Sequence, residues 1–167
     1  MSAGPQDLGV IDEIDVVAIG EPGHRTFRLL LERGQATASL WIEKEQLEQL
    51  AAIIEQQISR TSPARPLVTQ PTLTLAARFP ATPTIDFKVG RMAVGFDADA
   101  KRFVLTAQPV DQSDDIELTC VTTQPQAEAL SIKILAIAAA GRPRCPLCGA
   151  PIEGQHVCPV SNGHVHV

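Results

Sequence analysis

The residues of this chain best suited to chemistry sit near its end, in Arg142 to Val167, RPRCPLCGAPIEGQHVCPVSNGHVHV. Three of the four cysteines lie there, with His156, His164 and His166. Cys145-Pro146-Leu147-Cys148-Gly149 has the form of a metal knuckle, in which Pro and Gly allow the tight turn that aims two thiolates at one ion. Cys158-Pro159 comes ten residues after Cys148, with His156 two residues before Cys158 and His164 six after it. Soft sulfur and imidazole ligands on two short arms suit tetrahedral Zn²⁺. Cys145, Cys148 and Cys158 are the firm ligands, and the fourth is His156 or His164. His156 is preferred, because residues i and i+2 on an extended arm face the same way. Four ligands fill the tetrahedron, so the expectation is a structural zinc with no open position for water. A tail this short cannot bury a core, and the metal is expected to hold it folded.

Two other chemistries compete for the same cysteines. A redox Cys-x-x-Cys normally follows a strand and opens a helix. Here the motif follows the end of an apolar helical stretch and runs into Gly and Pro. A disulfide would leave one of three clustered cysteines unpaired. A second candidate site is Gly20-Glu21-Pro22-Gly23-His24-Arg25, where Glu21, His24 and Arg25 put an acid, a titratable group and a cation on one loop. It lacks a Gly-Lys-Ser/Thr ending and leads into a strand, so it reads first as a hairpin loop and only second as a small-ligand site. Cys120 and Trp41 read as core residues of their strands. No nucleophile elbow and no convincingly spaced acid pair is present, so no catalytic residue is assigned.

Composition narrows the class. The 167 residues are 44% hydrophobic and 20% charged, enough for one globular domain and a small appendage. With five Phe, one Trp and no Tyr, the core must be aliphatic. A net charge of −5 argues against a general nucleic-acid binder. Met1 to Leu8 has no apolar run of the export type, and Ile134 to Ala140 is too short to span a bilayer, so a cytoplasmic protein without a membrane role is expected. Few cysteines in a metal pattern agree with a reducing compartment.

The elements that must position these residues come in a repeated order. Residues 9 to 20, 26 to 32 and 36 to 43 read as three strands, joined too tightly for parallel crossovers and hence antiparallel. Leu47, Leu50, Ala51, Ile54 and Ile58 then form one apolar stripe of a helix from about Lys44 to Ile58. Residues 59 to 84 carry five prolines, three arginines and no acid; they read as a connection, with Leu73 to Ala77 as a short edge strand. Strands follow at 85 to 96, 102 to 108 and 116 to 121. Thr123 and Gln126 make a Thr-x-x-Gln capping box for a second helix, which Gly141 closes. The expected fold is α+β: two strand-strand-strand-helix halves, 9–58 and 85–141, on a largely antiparallel sheet within a domain spanning 1–141, followed by a zinc-binding tail, 142–167. The second helix is apolar nearly all round, which fits either a central core helix or one also covered by the tail or a partner chain.

With Gly20-Glu21-Pro22-Gly23-His24-Arg25-Thr26-Phe27, Leu40-Trp41-Ile42-Glu43-Lys44-Glu45-Gln46, Val89-Gly90-Arg91 and the Cys-Pro-Leu-Cys-Gly tail in place, the chain resembles domain-of-unknown-function family 3090 nearly end to end. The resemblance implies a bacterial cytosolic protein with a family-wide cysteine tail and lends no reaction. The family's Gly-His-x-Cys-Pro and Asn-Gly elements match His156-Val157-Cys158-Pro159 and Asn162-Gly163, which implies His156 as the ligand. Gln155 stands near where the family's glycine would be. The expected function is a non-catalytic, zinc-containing binding or adaptor protein with a protein partner. The alternative is an enzyme or small-ligand sensor using Glu21, His24 and Arg25, and the third is a nucleic-acid module using Arg142, Arg144 and the basic connection.

Overall fold

The side of the sheet that becomes core is set by the phase of apolar residues along each strand. The computed structural model of the chain describes residues 6–21, 23–61, 73–111, 117–139, 156–157 and 165–166. Its elements are β1 (Gln6–Val10), β2 (Glu13–Ile19), β3 (Thr26–Arg33), β4 (Ala36–Ile42), α1 (Lys44–Thr61), a 3-10 helix (Leu75–Arg78), β5 (Ile85–Asp97), β6 (Arg102–Pro109), β7 (Leu118–Thr123) and α2 (Gln124–Ala139). The short strands β8 (His156–Val157) and β9 (Val165–His166) follow. Val16, Leu29, Leu40, Phe103, Leu105 and Leu118 share one sheet face and one buried cluster with Leu50 and Ile54 of α1 and Leu130 and Ile134 of α2. The class is α+β.

Seven strands form one sheet in the order β1-β7-β6-β5-β4-β3-β2. Two antiparallel meanders, β2-β3-β4 and β5-β6-β7, are each followed by a helix. The meanders join through a parallel pair, β4 with β5, and β1 adds a second parallel pair with β7. The sheet is therefore mixed, with antiparallel pairing in the majority.

β1 and β2 lie at opposite edges of this order, yet only Ile11 and Asp12 separate them. In a flat sheet of seven strands at ~4.8 Å spacing the edges would stand roughly 29 Å apart. Val10 and Glu13, three residues apart in the chain, reach at most about 11 Å. The sheet must curl until its edges meet at this end. The seam is hydrogen-bonded to both sides: Ile11 N donates to the Val121 carbonyl at 3.0 Å and Asp12 N to the Glu32 carbonyl at 2.8 Å. The Arg33 guanidinium donates to the Val10 carbonyl, and Gly34 N to the Asp12 carboxylate at 2.6 Å. The capping box also reaches the seam. Thr123 N donates to Gln126 Oε1 at 2.9 Å and Gln126 N to Thr123 Oγ1 at 3.3 Å, while Gln126 Nε2 donates to the carbonyls of Ile11 and Asp12, each at 3.1 Å.

Three expectations are corrected. Residues 9 to 20 are not one strand: they hold the end of β1 and all of β2, because Gly9 adopts φ 66° beside a bulge and the chain changes sheet edge at Ile11-Asp12. Leu73 to Ala77 is not an edge strand. Ala76 N is taken by the Asp15 carboxylate at 2.8 Å and Ala77 N by the Thr74 carbonyl at 3.2 Å, so the segment coils as a 3-10 turn. Trp41 is not core. It lies half-buried on the outer face, under the Arg28 guanidinium (4.8 Å to the ring centre), and donates from Nε1 to Asp86 at 2.8 Å.

The long strand β5 serves both meanders, pairing with β4 through Lys88 and with β6 from Val89 onward. The transfer occurs at a bulge around Gly90, where a Cβ would stand 2.8 Å from Val110 Cα and 3.0 Å from the Pro109 carbonyl oxygen. Both are backbone atoms of the neighbouring strand and its end, so they cannot swing aside. Gly90→Ala should cost about 1–3 kcal/mol of stability by chemical denaturation, against no measurable loss for Gly95→Ala, whose added carbon would meet nothing within 4 Å.

Candidate functional site

The loop between β2 and β3 is shaped by two glycines in the left-handed region, Gly20 at φ 104° and Gly23 at φ 95°. A Cβ on Gly20 would approach the His24 carbonyl oxygen to 2.6 Å. His24 N donates to the Glu21 carbonyl at 2.9 Å, which closes the turn. Glu21 and His24 are thus brought together through their backbones, and both are exposed. Arg25 is half-buried and goes elsewhere: Nη1 lies 3.5 Å from the Ile137 carbonyl oxygen, in the last turn of α2, where the helix dipole favours a cation. Its Nε is buried and has no acceptor among the described residues.

Of the expected metal ligands, Cys145, Cys148, Cys158 and His164 lie outside the described residues. His156 falls in β8, where its register partner is His166 of β9, and Val157 pairs with Val165. Among the described residues no group of three or more His, Cys, Asp or Glu is placed to hold a metal. Cys120 sits in β7 at 1% exposure, as its strand position implied. Burial pushes its thiol up to about 12, and the Asp7 carboxylate adds to that. It therefore stays protonated near neutral pH and is neither a nucleophile nor a thiolate ligand.

Among the concavities lined by described residues, two are open enough to admit a small molecule. One, of about 240 Å³, lies between α1 and β5 and is lined by Gln46, Gln49, Ile53, Arg91 and Met92 among others, with no carboxylate or histidine. The other, of about 440 Å³, is an open hollow at the start of α2 with Lys101, Arg102 and Glu128. Its one hydroxyl, Thr123 Oγ1, is occupied as the cap of α2. Neither brings a nucleophile and a free base together.

The most strongly constrained polar group was not legible as such. Asp15 has no solvent exposure; its carboxylate accepts from Val16 N and Ala76 N at 2.8 Å each and from Lys133 Nζ at 2.5 Å. It joins β2, the 3-10 helix and α2. The available signals were an Asp inside an apolar strand and the lone basic residue of an apolar helix. Nearby, Arg78 pairs with Glu32 and Glu13, which hold its guanidinium above its ordinary pKa. The Arg28 guanidinium lies over the rings of both Trp41 and Phe79, with centroid distances of 4.8 and 5.6 Å.

Removing Lys133 strands a buried carboxylate. Lys133→Ala should destabilise by about 3 kcal/mol, read as a shift of the urea midpoint. In the loop, His24→Ala should change stability by less than about 0.5 kcal/mol. Arg25→Ala should cost about 1 kcal/mol through its stem and the helix end; equal effects for the two would show that Arg25 is not engaged with α2.

A family model described as a protein of unknown function, DUF3090, matches residues 7–158. The matched span runs from β1 to Cys158, the last cysteine of the tail. No curated protein and no solved structure matches the chain. On the extent of that match, the chain belongs to the DUF3090 family.

Proposed function

We propose that this is a non-catalytic binding or adaptor protein of the bacterial cytosol, whose Cys/His tail carries a structural zinc. Cys145, Cys148, Cys158 and His156 are the ligands, with His164 the alternate fourth. The observation that carries the reading is the antiparallel pairing of β8 with β9, His156 opposite His166. It sets two histidines of the tail opposite each other in register, and in the sequence Cys158 and His164 adjoin the two paired segments. Three thiolates and one imidazole from the Cys-x-x-Cys motif and the His156–Cys158 segment would suit a closed tetrahedral site. A protein partner is the expected target of this reading, and neither of the two open concavities described above assembles catalytic groups. No helix among the described residues is long and apolar enough to cross a membrane. The reading of Glu21, His24 and Arg25 as an enzyme or sensor site is weakened by the commitment of Arg25 to α2. The nucleic-acid reading has the net charge of −5 against it.

Elemental analysis of purified protein should return one zinc per chain, with Zn–S distances near ~2.3 Å by X-ray absorption. Cys148→Ser should abolish zinc binding and leave the melting of the α+β domain in place. His156→Ala should weaken zinc retention more than His164→Ala. Absence of zinc, with all three tail thiols reacting freely in native protein, would overturn the reading. A pull-down with the wild-type and Cys148→Ser proteins would test whether partner capture needs the tail.

A further inference from the structure

β5 is longer than both its neighbours, and one of its edges is paired over only part of its length. β4 pairs with it from Ile85 to Lys88, while β6 pairs with it from Val89 to Asp97. Within an antiparallel pair, alternate backbone groups of a strand point away from the partner. From Arg91 to Asp97 no strand meets those groups among the described residues. α1 begins just after β4 ends, and Gln46 Nε2 donates to the Gly90 carbonyl at 3.4 Å. The groove of about 240 Å³ between α1 and β5 therefore runs along the side of β5 that β4 has left. Its apolar lining is Leu50 and Ile53 of α1 with Met92 and Val94 of β5, and Ile53 is 44% exposed. Open strand edges are ordinarily guarded by Lys, Pro or a covering segment, yet Met92 to Phe96 carries neither a charge nor a Pro. The charge in the groove is Arg91, exposed and without an ion pair or hydrogen bond among the described residues. The carboxylates at the start of α1 are already engaged, Glu43 with Lys88 at 3.4 Å and Glu48 with Lys44 at 3.9 Å.

We infer that this groove takes a short extended segment of a partner protein, which adds to the free edge of β5, sets apolar side chains against Ile53, Met92 and Val94, and places an Asp or Glu at Arg91. The free edge selects an extended peptide, because main-chain hydrogen bonds hold an added strand whatever its sequence. The lining selects apolar side chains, and the uncompensated guanidinium, beside the Gln46 and Gln49 amides, selects a carboxylate. Spacing follows from the pleat. Met92 and Val94 share one face of β5 and Arg91 the other, so the segment should carry apolar residues at i and i+2 with the acid directly beside one of them. The assignment names the kind of partner for the binding role proposed above and rests on that role, but needs no metal in the tail.

The test presents the full-length protein to a phage-displayed library of random linear peptides. Enriched peptides should share the alternating apolar pattern with an adjacent Asp or Glu. The best of them, made as a fluorescent synthetic peptide, should bind about tenfold more weakly to Arg91→Glu and to Ile53→Lys. Both positions are exposed, so the melting temperatures of the variants should match wild type. N-methylation of the peptide backbone should abolish binding at residues of one phase and spare those of the other, as strand addition requires. No enrichment, affinity indifferent to Arg91→Glu, or an N-methyl scan without alternation would overturn the assignment. So would a wild-type dimer dissociated by Ile53→Lys, which would give the groove to a second copy. Two comparisons separate this assignment from the function proposed above. Peptide binding retained by zinc-free Cys148→Ser supports the groove, whereas its loss there would overturn it. Partner capture in the pull-down that survives both groove variants would overturn the groove and leave the adaptor role standing.

Discussion

Asp15 brings a carboxylate to a point with no solvent exposure, and the arrangement of everything around it follows from how that group is satisfied. Each partner comes from a different part of the chain: its own strand through Val16 N, the Pro-rich connection through Ala76 N, and α2 through Lys133. A buried ion pair of this kind contributes less to net stability than to uniqueness, because any alternative packing leaves a charge without a partner. Around Asp15 the described end of the connection, residues 73–84, is fixed over the outer face of β2-β3-β4. Leu75 is fully buried there, Thr37 and Thr84 exchange backbone-to-hydroxyl hydrogen bonds, and Arg78 reaches Glu13 and Glu32. The outer face of one meander is thus covered by a polar-stitched strap, and the inner face of the sheet by the apolar faces of α1 and α2.

How much of this was readable depends on the range of the interaction. Alternation along β2 to β7, the 3.6 period of α1 and the Thr123–Gln126 capping box are local, and the structure has them where the residues imply. Asp15 finds Ala76 and Lys133 at separations of 61 and 118 residues, and no local pattern announces such a partner. Trp41 shows a different limit. Leu40, Trp41 and Ile42 are all apolar, so alternation alone leaves open which phase faces inward. The choice is made by Arg28 and Asp86, which give the indole a polar setting on the outer face.

The candidate site divides along the same line. Cys120 needed only its place in a strand to be read as inert, and burial accounts for it. For the loop, the glycine turn was legible, but the direction of Arg25 was not, because Ile137 lies 112 residues away and meets Arg25 only once α2 is laid beside β2. The metal reading rests on the spacing of the tail cysteines, and the placing of His156 opposite His166 is a pairing that spacing does not specify.

The parallel pairing of β1 with β7 bears on the order in which the molecule can assemble. Gln6 finds Leu118 as its neighbour, so β1, made before the other strands of this sheet, is among the last of them that can be placed. During synthesis, β2 to β4 and α1 can form from consecutive residues, while β1 waits until 118–123 has left the ribosome. Closure of the seam is then a late event that needs the capped first turn of α2 as well as β7, since Gln126 holds Ile11 and Asp12 from that turn. A chain interrupted before α2 would hold an unclosed sheet with two open edges, the kind of intermediate that recruits chaperones or neighbouring strands.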